Sequence, residues 1–244
     1  MTQNIYDNDT FFTGYSLLPR SVQGLEGAPE WPVLRAMLPD LTGARVLDLG
    51  CGFGWFCRWA REAGAATVHG LDVSAKMLAR AKAETNDPAI TYDRGDLETV
   101  ELSHGAFDLV YSSLAFHYLE HLDRLIREIA AALVPGGKLV FSVEHPICTA
   151  PSRPEWRTDA EGRKIWPLER YLDEGPRVTD WLAPGVIKQH RGMATYFNLL
   201  LDAGFRLRRI EEWSPSKVQI AAEPGWADER HRPFFLLVVC ERGN

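Results

Sequence analysis

The segment that most limits the fold of this 244-residue chain is a glycine-rich turn between a strand pattern and a helix pattern. An apolar run over residues 44–50 is followed at once by the turn 51–54 and then by a helical pattern over 55–62. Glycines in such a turn let the backbone bend tightly and approach a ligand where a Cβ atom would collide. Open parallel sheets bind ligands at the carboxyl ends of their strands, which is where this turn lies. The segment therefore predicts an α/β fold with a ligand above the first strand.

The same alternation of strand and helix patterns continues along the chain. Further buried strands are predicted over residues 67–73, 90–96, 107–113 and 138–143, and further helices over 75–84, 121–133 and 193–203. This alternation implies right-handed crossovers and a doubly wound, mostly parallel sheet. Two late strand patterns, at 205–213 and 234–240, have no helical pattern between them and predict an antiparallel C-terminal pair. The expected fold class is α/β, with a seven-stranded sheet.

We expect one domain spanning residues 1–244. Residues 1–40 read as an N-terminal arm with helix that folds over the ligand. Residues 146–188 are rich in proline, tryptophan and charge and show no clean period, so they read as a cap inserted over the substrate. Strand and helix patterns resume after this cap.

Composition limits the classes of partner that the protein can bind and the cellular compartment in which it can work. The formal net charge is −6 and the only dense basic run is short, whereas nucleic-acid partners usually leave a basic stripe on a protein. The four cysteines form no CxxC pair, which favours a reducing compartment. No run is long enough to span a bilayer and the N-terminus has no apolar leader pattern. We expect a cytoplasmic protein that acts on a small molecule, with no nucleic-acid or membrane partner.

A second ligand signal is Asp72, which closes the second predicted strand about twenty residues after the glycine turn, where a carboxylate can accept hydrogen bonds from ribose hydroxyls. A dinucleotide fingerprint would need glycine where Trp55 stands, which disfavours the pyrophosphate of NAD or FAD. Asp48, two residues before the first glycine, suits a ligand with an ammonium group better. The alternative interpretation is a plain tight turn and an aspartate that caps a helix.

Five stretches occur together and in this order: VLDLGCGFG (46–54), GLDVS (70–74), GDL (95–97), FDLVYSSLAFHYLEH (107–121) and LVPGGKLVFSVEHP (133–146). With these motifs the chain resembles the class I S-adenosylmethionine-dependent methyltransferases. It is most similar to their small-molecule branch, the methyltransferase type 11 group. The resemblance covers residues 44–146 and extends to the segment LLDAGF at 200–205.

The resemblance implies S-adenosylmethionine as cofactor and assigns roles to single residues. The turn would line the methionine and ribose through its backbone, Asp72 would hold the ribose diol, and Asp96 would accept from the adenine amino group. Asp96 alone also reads as an ordinary turn aspartate. The implied cofactor residues are Tyr15, Asp48, Gly50, Cys51, Gly52, Asp72, Val73, Met77, Asp96, Leu97, Ser112 and Ser113.

Residues 117–121 read HYLEH, the spacing with which inverted zinc metallopeptidases bind their metal. Such a site needs both histidines on an established helix and a third ligand from a later one. Here the predicted helix begins only near His121, and no matching downstream motif follows. We therefore expect no metal, with His117 facing the acceptor pocket and His121 in a solvated first turn.

Methyl transfer needs a general base only if the acceptor must lose a proton. The candidates near the expected acceptor pocket are His117, Glu144, His145 and His190, and each also fits a structural hydrogen-bonding role. The fourth strand lacks the Asn/Asp-Pro-Pro-aromatic tetrapeptide of methyltransferases that act on amino groups of nucleobases or glutamine. Tryptophans in the cap can wall off a planar or apolar substrate, or form the cap's own core.

The expected function is methyl transfer from S-adenosylmethionine to an oxygen or nitrogen atom of a small, planar or apolar metabolite. Two other functions stay open at this point. One is a non-catalytic protein that binds or senses S-adenosylmethionine, and the other is a nicotinamide oxidoreductase.

Overall fold

The structure, a computed structural model, describes residues 3–243, so residues 1, 2 and 244 of the expected domain lie outside the described part. The strands are β1 (Arg45–Leu49), β2 (Thr67–Asp72), β3 (Ile90–Arg94), β4 (Phe107–Ser113), β5 (Leu133–Glu144), β6 (Arg157–Thr158), β7 (Lys164–Ile165), β8 (Gly175–Thr179), β9 (Val186–His190), β10 (Phe205–Trp213) and β11 (Phe235–Arg242). Seven of them form one sheet in the order β10-β11-β5-β4-β1-β2-β3. Strands β1 to β5 run parallel, and β11 runs antiparallel to both β5 and β10. The predicted mostly parallel sheet with an antiparallel C-terminal pair is confirmed.

Helices connect and cover these strands. They are α1 (Asp9–Ser16), α2 (Pro19–Val22), α3 (Trp31–Met37), α4 (Trp55–Glu62), α5 (Ala75–Ala83), α6 (Leu122–Ala132), α7 (Pro146–Thr149), α8 (Met193–Asp202) and α9 (Lys217–Ala222). Short 3-10 helices lie at Ile5–Asp7, Gly24–Gly27, Phe116–Tyr118 and Pro224–Arg230.

The sheet is covered on both faces, because its central strands are apolar on both. Successive side chains of a strand point to opposite faces. On β1, Val46 belongs to a buried cluster with Phe56 of α4, whereas Leu47 belongs to another buried cluster with Ile126 of α6. The first cluster packs α3, α4 and α5 on one face, and the second packs α6 and α8 on the other. This doubly wound arrangement leaves the carboxyl ends of the parallel strands free to form a site.

Two segments lie over that end of the sheet. The N-terminal arm supplies α1 to α3, and the segment between β5 and α8 supplies α7 and two hairpins, β6–β7 and β8–β9. The arm and this insertion share a small buried cluster formed by Ile5, Phe11, Ala183 and Val186. The arm is also joined to α5, since Asp7 accepts hydrogen bonds from the Ser74 hydroxyl at 2.5 Å and the Lys76 N–H at 3.2 Å.

The connection between β10 and β11 differs from the sequence expectation. No helical pattern was expected there, but the structure contains α9 and a 3-10 helix. Helix α9 begins with a capping box, in which Ser216 and Gln219 each bond the other's backbone N–H. Neither helix buries a residue, so the apolar periodicity by which a helix is read from sequence is missing. Among residues 3–243, no helix is long and apolar enough to cross a membrane.

Candidate active site

A cavity of about 1120 Å³ lies at the carboxyl ends of β1, β2, β4 and β5. The glycine turn forms one part of its wall, and residues of the N-terminal arm, the insertion and the β10–β11 connection form the rest. Pockets for one drug-sized ligand typically measure about 300–1,000 Å³. This cavity therefore has room for two small ligands side by side.

The glycine turn brings bare backbone to the cavity. Gly50 has a φ of 78°, and a Cβ atom at this position would lie 2.6 Å from the Cβ of Ala115. The N–H groups of Gly50 and Cys51 donate to the Leu71 carbonyl at 2.8 and 3.0 Å, which fixes the turn against β2. Gly52 has a φ of 52°, and no protein atom lies within 4 Å of the place where its Cβ would be. The backbone at Gly52 is thus open to a ligand.

Asp72 combines a structural and a ligand-facing position. Its two carboxylate oxygens accept hydrogen bonds from the Gly52 and Ser74 N–H groups, both at 2.8 Å. Burial raises the pKa of Asp72 to about 6, although these hydrogen bonds act in the opposite direction. The carboxylate is therefore mainly ionised at neutral pH. Each oxygen keeps a lone pair for a further donor, such as a hydroxyl group.

Asp48 is a second buried acid at this end. Its side chain is 2% exposed and accepts from the Cys57 thiol at 3.2 Å. Burial raises the pKa of Asp48 to about 7. The hydrogen bond from the Cys57 thiol acts in the opposite direction, whereas the negative charge of Asp72 raises this pKa further. No cationic side chain among residues 3–243 offsets the charge of Asp48. Two buried carboxylates without a protein cation favour a ligand that carries positive charge.

The remaining predicted cofactor residues fall at the same end, with one exception. Those that line the cavity are Tyr15, Gly50, Cys51, Gly52, Val73, Met77, Asp96, Leu97 and Ser113, together with Asp48 and Asp72. Ser112 lies outside the lining. Its buried hydroxyl donates to the Leu49 carbonyl at 2.7 Å, because its side chain points across β4 toward β1.

His117 and Glu144 line the cavity where β4 and β5 end. The Nδ1 atom of His117 accepts from the Glu144 N–H at 3.4 Å. Burial lowers the pKa of His117 to about 4, with Glu144 acting against the shift and Lys188 with it, so the imidazole is neutral at pH 7. Burial would raise the pKa of Glu144, but nearby positive charges, first that of Lys188 in its ion pair, hold this pKa below its ordinary value.

His145 and His190 were also expected at the acceptor end, but the structure places both behind the cavity wall. His145 caps α7, with Nδ1 accepting from the Ile147 N–H at 3.1 Å and Nε2 2.9 Å from Glu212 Oε1. His190 has Nδ1 2.8 Å from Thr149 Oγ1 and Nε2 2.9 Å from the Tyr171 carbonyl. All four ring nitrogens are engaged in these contacts, which hold the wall together.

The part of the cavity around His117 and Glu144 also contains residues that the sequence did not single out. Arg177, Lys188 and Arg232 line the cavity and are each less than a tenth exposed. The guanidinium of Arg232 lies over the rings of Trp166 and Phe234, at 4.0 and 5.0 Å. Trp166 and Trp181 of the insertion and Trp213 and Trp226 near the C-terminus also line the cavity. A lone arginine or lysine has no local sequence pattern, so nothing in the sequence marked these positions.

The HYLEH segment does not have the geometry of a zinc-binding helix. His117 lies in the 3-10 helix Phe116–Tyr118, and His121 precedes the first residue of α6. The two histidines are therefore on different elements rather than one turn apart on one helix.

Comparison with known proteins agrees with this geometry. Residues 47–141 match a family described as a methyltransferase domain. The crystal structure of an S-adenosylmethionine-dependent methyltransferase from Mesorhizobium loti is 58% identical in sequence, with a TM-score of 0.87 that covers 90% of this chain and all of that one. This chain belongs to the S-adenosylmethionine-dependent methyltransferases.

Two curated relatives add detail on the extent of the similarity. An uncharacterized protein of Haemophilus influenzae is 34% identical to this methyltransferase over 98% of this chain and 97% of that protein. A malonyl-[acyl-carrier protein] O-methyltransferase of Enterobacter lignolyticus is 37% identical over 62% of this chain, but the match spans only 53% of that protein. The family and the cofactor follow from these similarities, whereas the methyl acceptor does not.

Proposed function

We propose that this methyltransferase transfers the methyl group of S-adenosylmethionine to an oxygen or nitrogen atom of a small metabolite. The observation that carries the proposal is one cavity with two unlike ends, which we call the cofactor end and the acceptor end. One end has buried acids and bare glycine backbone, and the other has tryptophans, His117 and a buried ion pair. A cationic cofactor fits the first end, and a planar acceptor fits between the aromatic rings of the second.

In this proposal the cofactor residues divide by chemistry. Asp72 accepts from the ribose hydroxyls, and Asp48 offsets the ammonium group beside the open backbone of Gly52. Adenine lies between the apolar side chains of Val73 and Met77, with Asp96 and the Leu97 N–H at its polar edge; these four residues line the cavity together. Tyr15 of the arm covers this end.

The bound sulfonium supplies a methyl group that is already poised to leave, so the protein mainly orients the two ligands and excludes water. His117 and Glu144 face the acceptor. His145 and His190 keep the wall in place through the contacts described above. The arm and the insertion, joined by their shared buried cluster, keep bulk water away from the reacting atoms.

The Enterobacter relative is named for methylation at oxygen, which supports an oxygen acceptor without naming it. We also propose that the enzyme works in the cytoplasm. Its four cysteines are free and buried, a state that reducing compartments preserve.

The proposal is tested by incubating the purified protein with S-adenosylmethionine and a low-molecular-mass metabolite extract, and measuring S-adenosylhomocysteine by mass spectrometry. We expect this product only when protein and extract are both present, and little of it with the Asp72→Ala variant. Product formation that requires added nucleic acid or protein instead would contradict a small-metabolite acceptor.

A further inference from the structure

The two ends of the cavity differ in charge. The cofactor end contains Asp48 and Asp72, for which no ion pair exists among residues 3–243. The acceptor end contains the cations Arg177, Lys188 and Arg232 and the carboxylates Glu144 and Glu229. Lys188 pairs with Glu144, and Arg232 lies 3.0 Å from Glu229. Arg177 donates only to backbone carbonyls, so among these five side chains one positive charge has no carboxylate partner.

Arg232 is the cavity-lining cation with a buried N–H donor that no acceptor among residues 3–243 satisfies. Its side chain is 6% exposed, its Nη1 atom lies 2.6 Å from the Cys148 sulfur, and its Nε–H has no partner. Arg124 and Arg191 also have a buried nitrogen without a partner, but neither lines the cavity. A buried N–H group without an acceptor is costly, so such a group in a cavity wall indicates that a ligand atom completes it.

The planar guanidinium of Arg232 is held in one orientation by aromatic rings. Trp166, Trp156 and Phe234 lie 4.0, 5.1 and 5.0 Å from its central carbon. Arginine recognises carboxylates through its fork of N–H donors, and a fixed fork loses little entropy when it binds one. Chemistry and burial therefore both favour an anionic, planar group as its ligand.

Four titratable groups that line the acceptor end are poor general bases at neutral pH, because an efficient base has a pKa near the working pH. Burial lowers the pKa of His117 to about 4, and Lys188 keeps that of Glu144 below its ordinary range despite burial. Burial raises the pKa values of the Tyr118 phenol and, to about 12, of the Cys148 thiol. An acceptor that is already ionised needs no base.

We propose that the methyl acceptor is a small carboxylate, held by Arg232 next to the Lys188–Glu144 pair, and that the product is its methyl ester. This inference rests on the proposed function. One carboxylate oxygen forms a bond to the methyl carbon, and the methyl–sulfur bond breaks with its electron pair going to sulfur. The positive charge of the sulfonium and the negative charge of the carboxylate disappear together, and no proton is gained or lost.

The chemical stability of the product tests the inference on the unaltered protein. The protein is incubated with S-adenosylmethionine tritiated in its methyl group and a low-molecular-mass metabolite extract, and the products are then treated with alkali. Methyl esters release labelled methanol, whereas methyl ethers and methylamines do not. We expect most of the transferred label in the volatile, alkali-released fraction. Label that is transferred but stable to alkali overturns the carboxylate inference and leaves the proposed function intact, whereas absence of any transferred label contradicts the proposed function itself.

Substitution of the anchoring residue gives a second, independent test. Loss of a charged hydrogen-bonding partner should weaken acceptor binding by about tenfold to hundredfold. We expect Arg232→Gln to lower the rate of ester formation from dilute extract by this factor while its affinity for S-adenosylhomocysteine stays at the wild-type value, with partial recovery in Arg232→Lys. The control is Arg163→Gln, since Arg163 is an exposed arginine of the β6–β7 hairpin, and this variant should match wild type. An Arg232→Gln variant that binds S-adenosylhomocysteine and forms ester at the wild-type rate would overturn the anchoring role.

Discussion

The cofactor end and the acceptor end of the cavity are built in different ways. At the cofactor end, most lining residues lie at the carboxyl ends of β1, β2 and β3 or soon after them, so each belongs to a short local motif. At the acceptor end, His117, Glu144, Lys188 and Arg232 come from four separate segments, two of them insertions to the sheet. The parallel-sheet topology therefore assembles most of the first end, to which the N-terminal arm adds Tyr15. The second end forms only when the insertion and the β10–β11 connection pack over the sheet.

Their electrostatics differ as well. Asp48 and Asp72 are buried without a protein cation, which costs folding stability and leaves charge for a ligand to neutralise. The acceptor end instead contains ion pairs, and removal of either charged side chain of a pair leaves the other without an opposite charge. We therefore expect substitutions at the acceptor end to reduce folding stability, and substitutions at the cofactor end to affect ligand binding more than folding.

The largest expected effect is on stability at the acceptor end. Lys188→Met leaves the carboxylate of Glu144 without its cation, and breaking a buried pair in this way costs about 3 kcal/mol. Urea unfolding should show this loss in the free protein. The double variant Lys188→Met with Glu144→Gln removes the uncompensated charge and should regain most of it. A double variant as unstable as the single one would mean that the loss comes from packing. It would contradict an electrostatic origin of the difference between the two ends.

The next effect concerns binding at the cofactor end. Asp72→Ala removes charge-assisted hydrogen bonds worth about 1.5–3 kcal/mol, so affinity for S-adenosylhomocysteine should fall about tenfold to hundredfold. Calorimetry of the two proteins measures this difference. The matched control is Asp93→Ala, since Asp93 lies on the neighbouring β3 with its side chain 70% exposed. Equal affinities of wild type and Asp72→Ala would rule out the ribose assignment.

The contrast between the two ends also decides how much could be read from the sequence. The sheet and the cofactor end were predictable, because glycine turns and strand-terminal aspartates are local signals with a fixed place on a parallel sheet. Ser112 was misplaced because neighbouring strand residues point to opposite faces, and only the pairing of β4 with β1 shows which face holds Ser113. Such a one-residue difference is not visible in an apolar strand buried on both sides.

At the acceptor end, the position of a residue along the sequence did not predict whether its side chain faces the cavity. His145 follows β5 as expected, but its ring turns back to cap α7. Contacts with the Ile147 N–H and the Glu212 carboxylate orient the ring, and neither can be inferred from the strand pattern. Nothing in the sequence placed Lys188 beside Glu144, 44 residues away, or Arg232 beside Cys148, 84 residues away. Only tertiary packing brings these residues together.

A third prediction uses pH to sharpen the comparison. The pKa of Asp48 is about 7 in the folded protein, above its ordinary value of 3.8, so its folded form keeps a proton that the unfolded chain releases. Its contribution to stability is therefore greatest at acid pH and is lost as pH rises toward 7. Between about pH 5 and about pH 8, the free energy of unfolding of the wild type should fall by on the order of 2 kcal/mol relative to that of Asp48→Asn. Urea unfolding at both pH values measures this, and parallel pH dependences of the two proteins would contradict the assignment.

The smallest expected effect tests whether a ligand approaches the bare backbone at the cofactor end. Gly52 and Gly43 both have positive φ values, 52° and 73°, and for both no protein atom lies within 4 Å of an added Cβ. Alanine at either position should therefore cost similar folding stability, about 1 kcal/mol, from backbone strain alone.

Gly43 precedes β1 at the far end of the strand, whereas Gly52 lines the cavity beside Asp72. Because a methyl group at Gly52 would occupy ligand space, we expect Gly52→Ala to weaken S-adenosylhomocysteine binding by about tenfold, or about 1.4 kcal/mol, and Gly43→Ala to leave it unchanged. If calorimetry gave the same affinity for both variants, the cofactor would have to lie away from the turn, and the topology of the sheet would no longer explain the site.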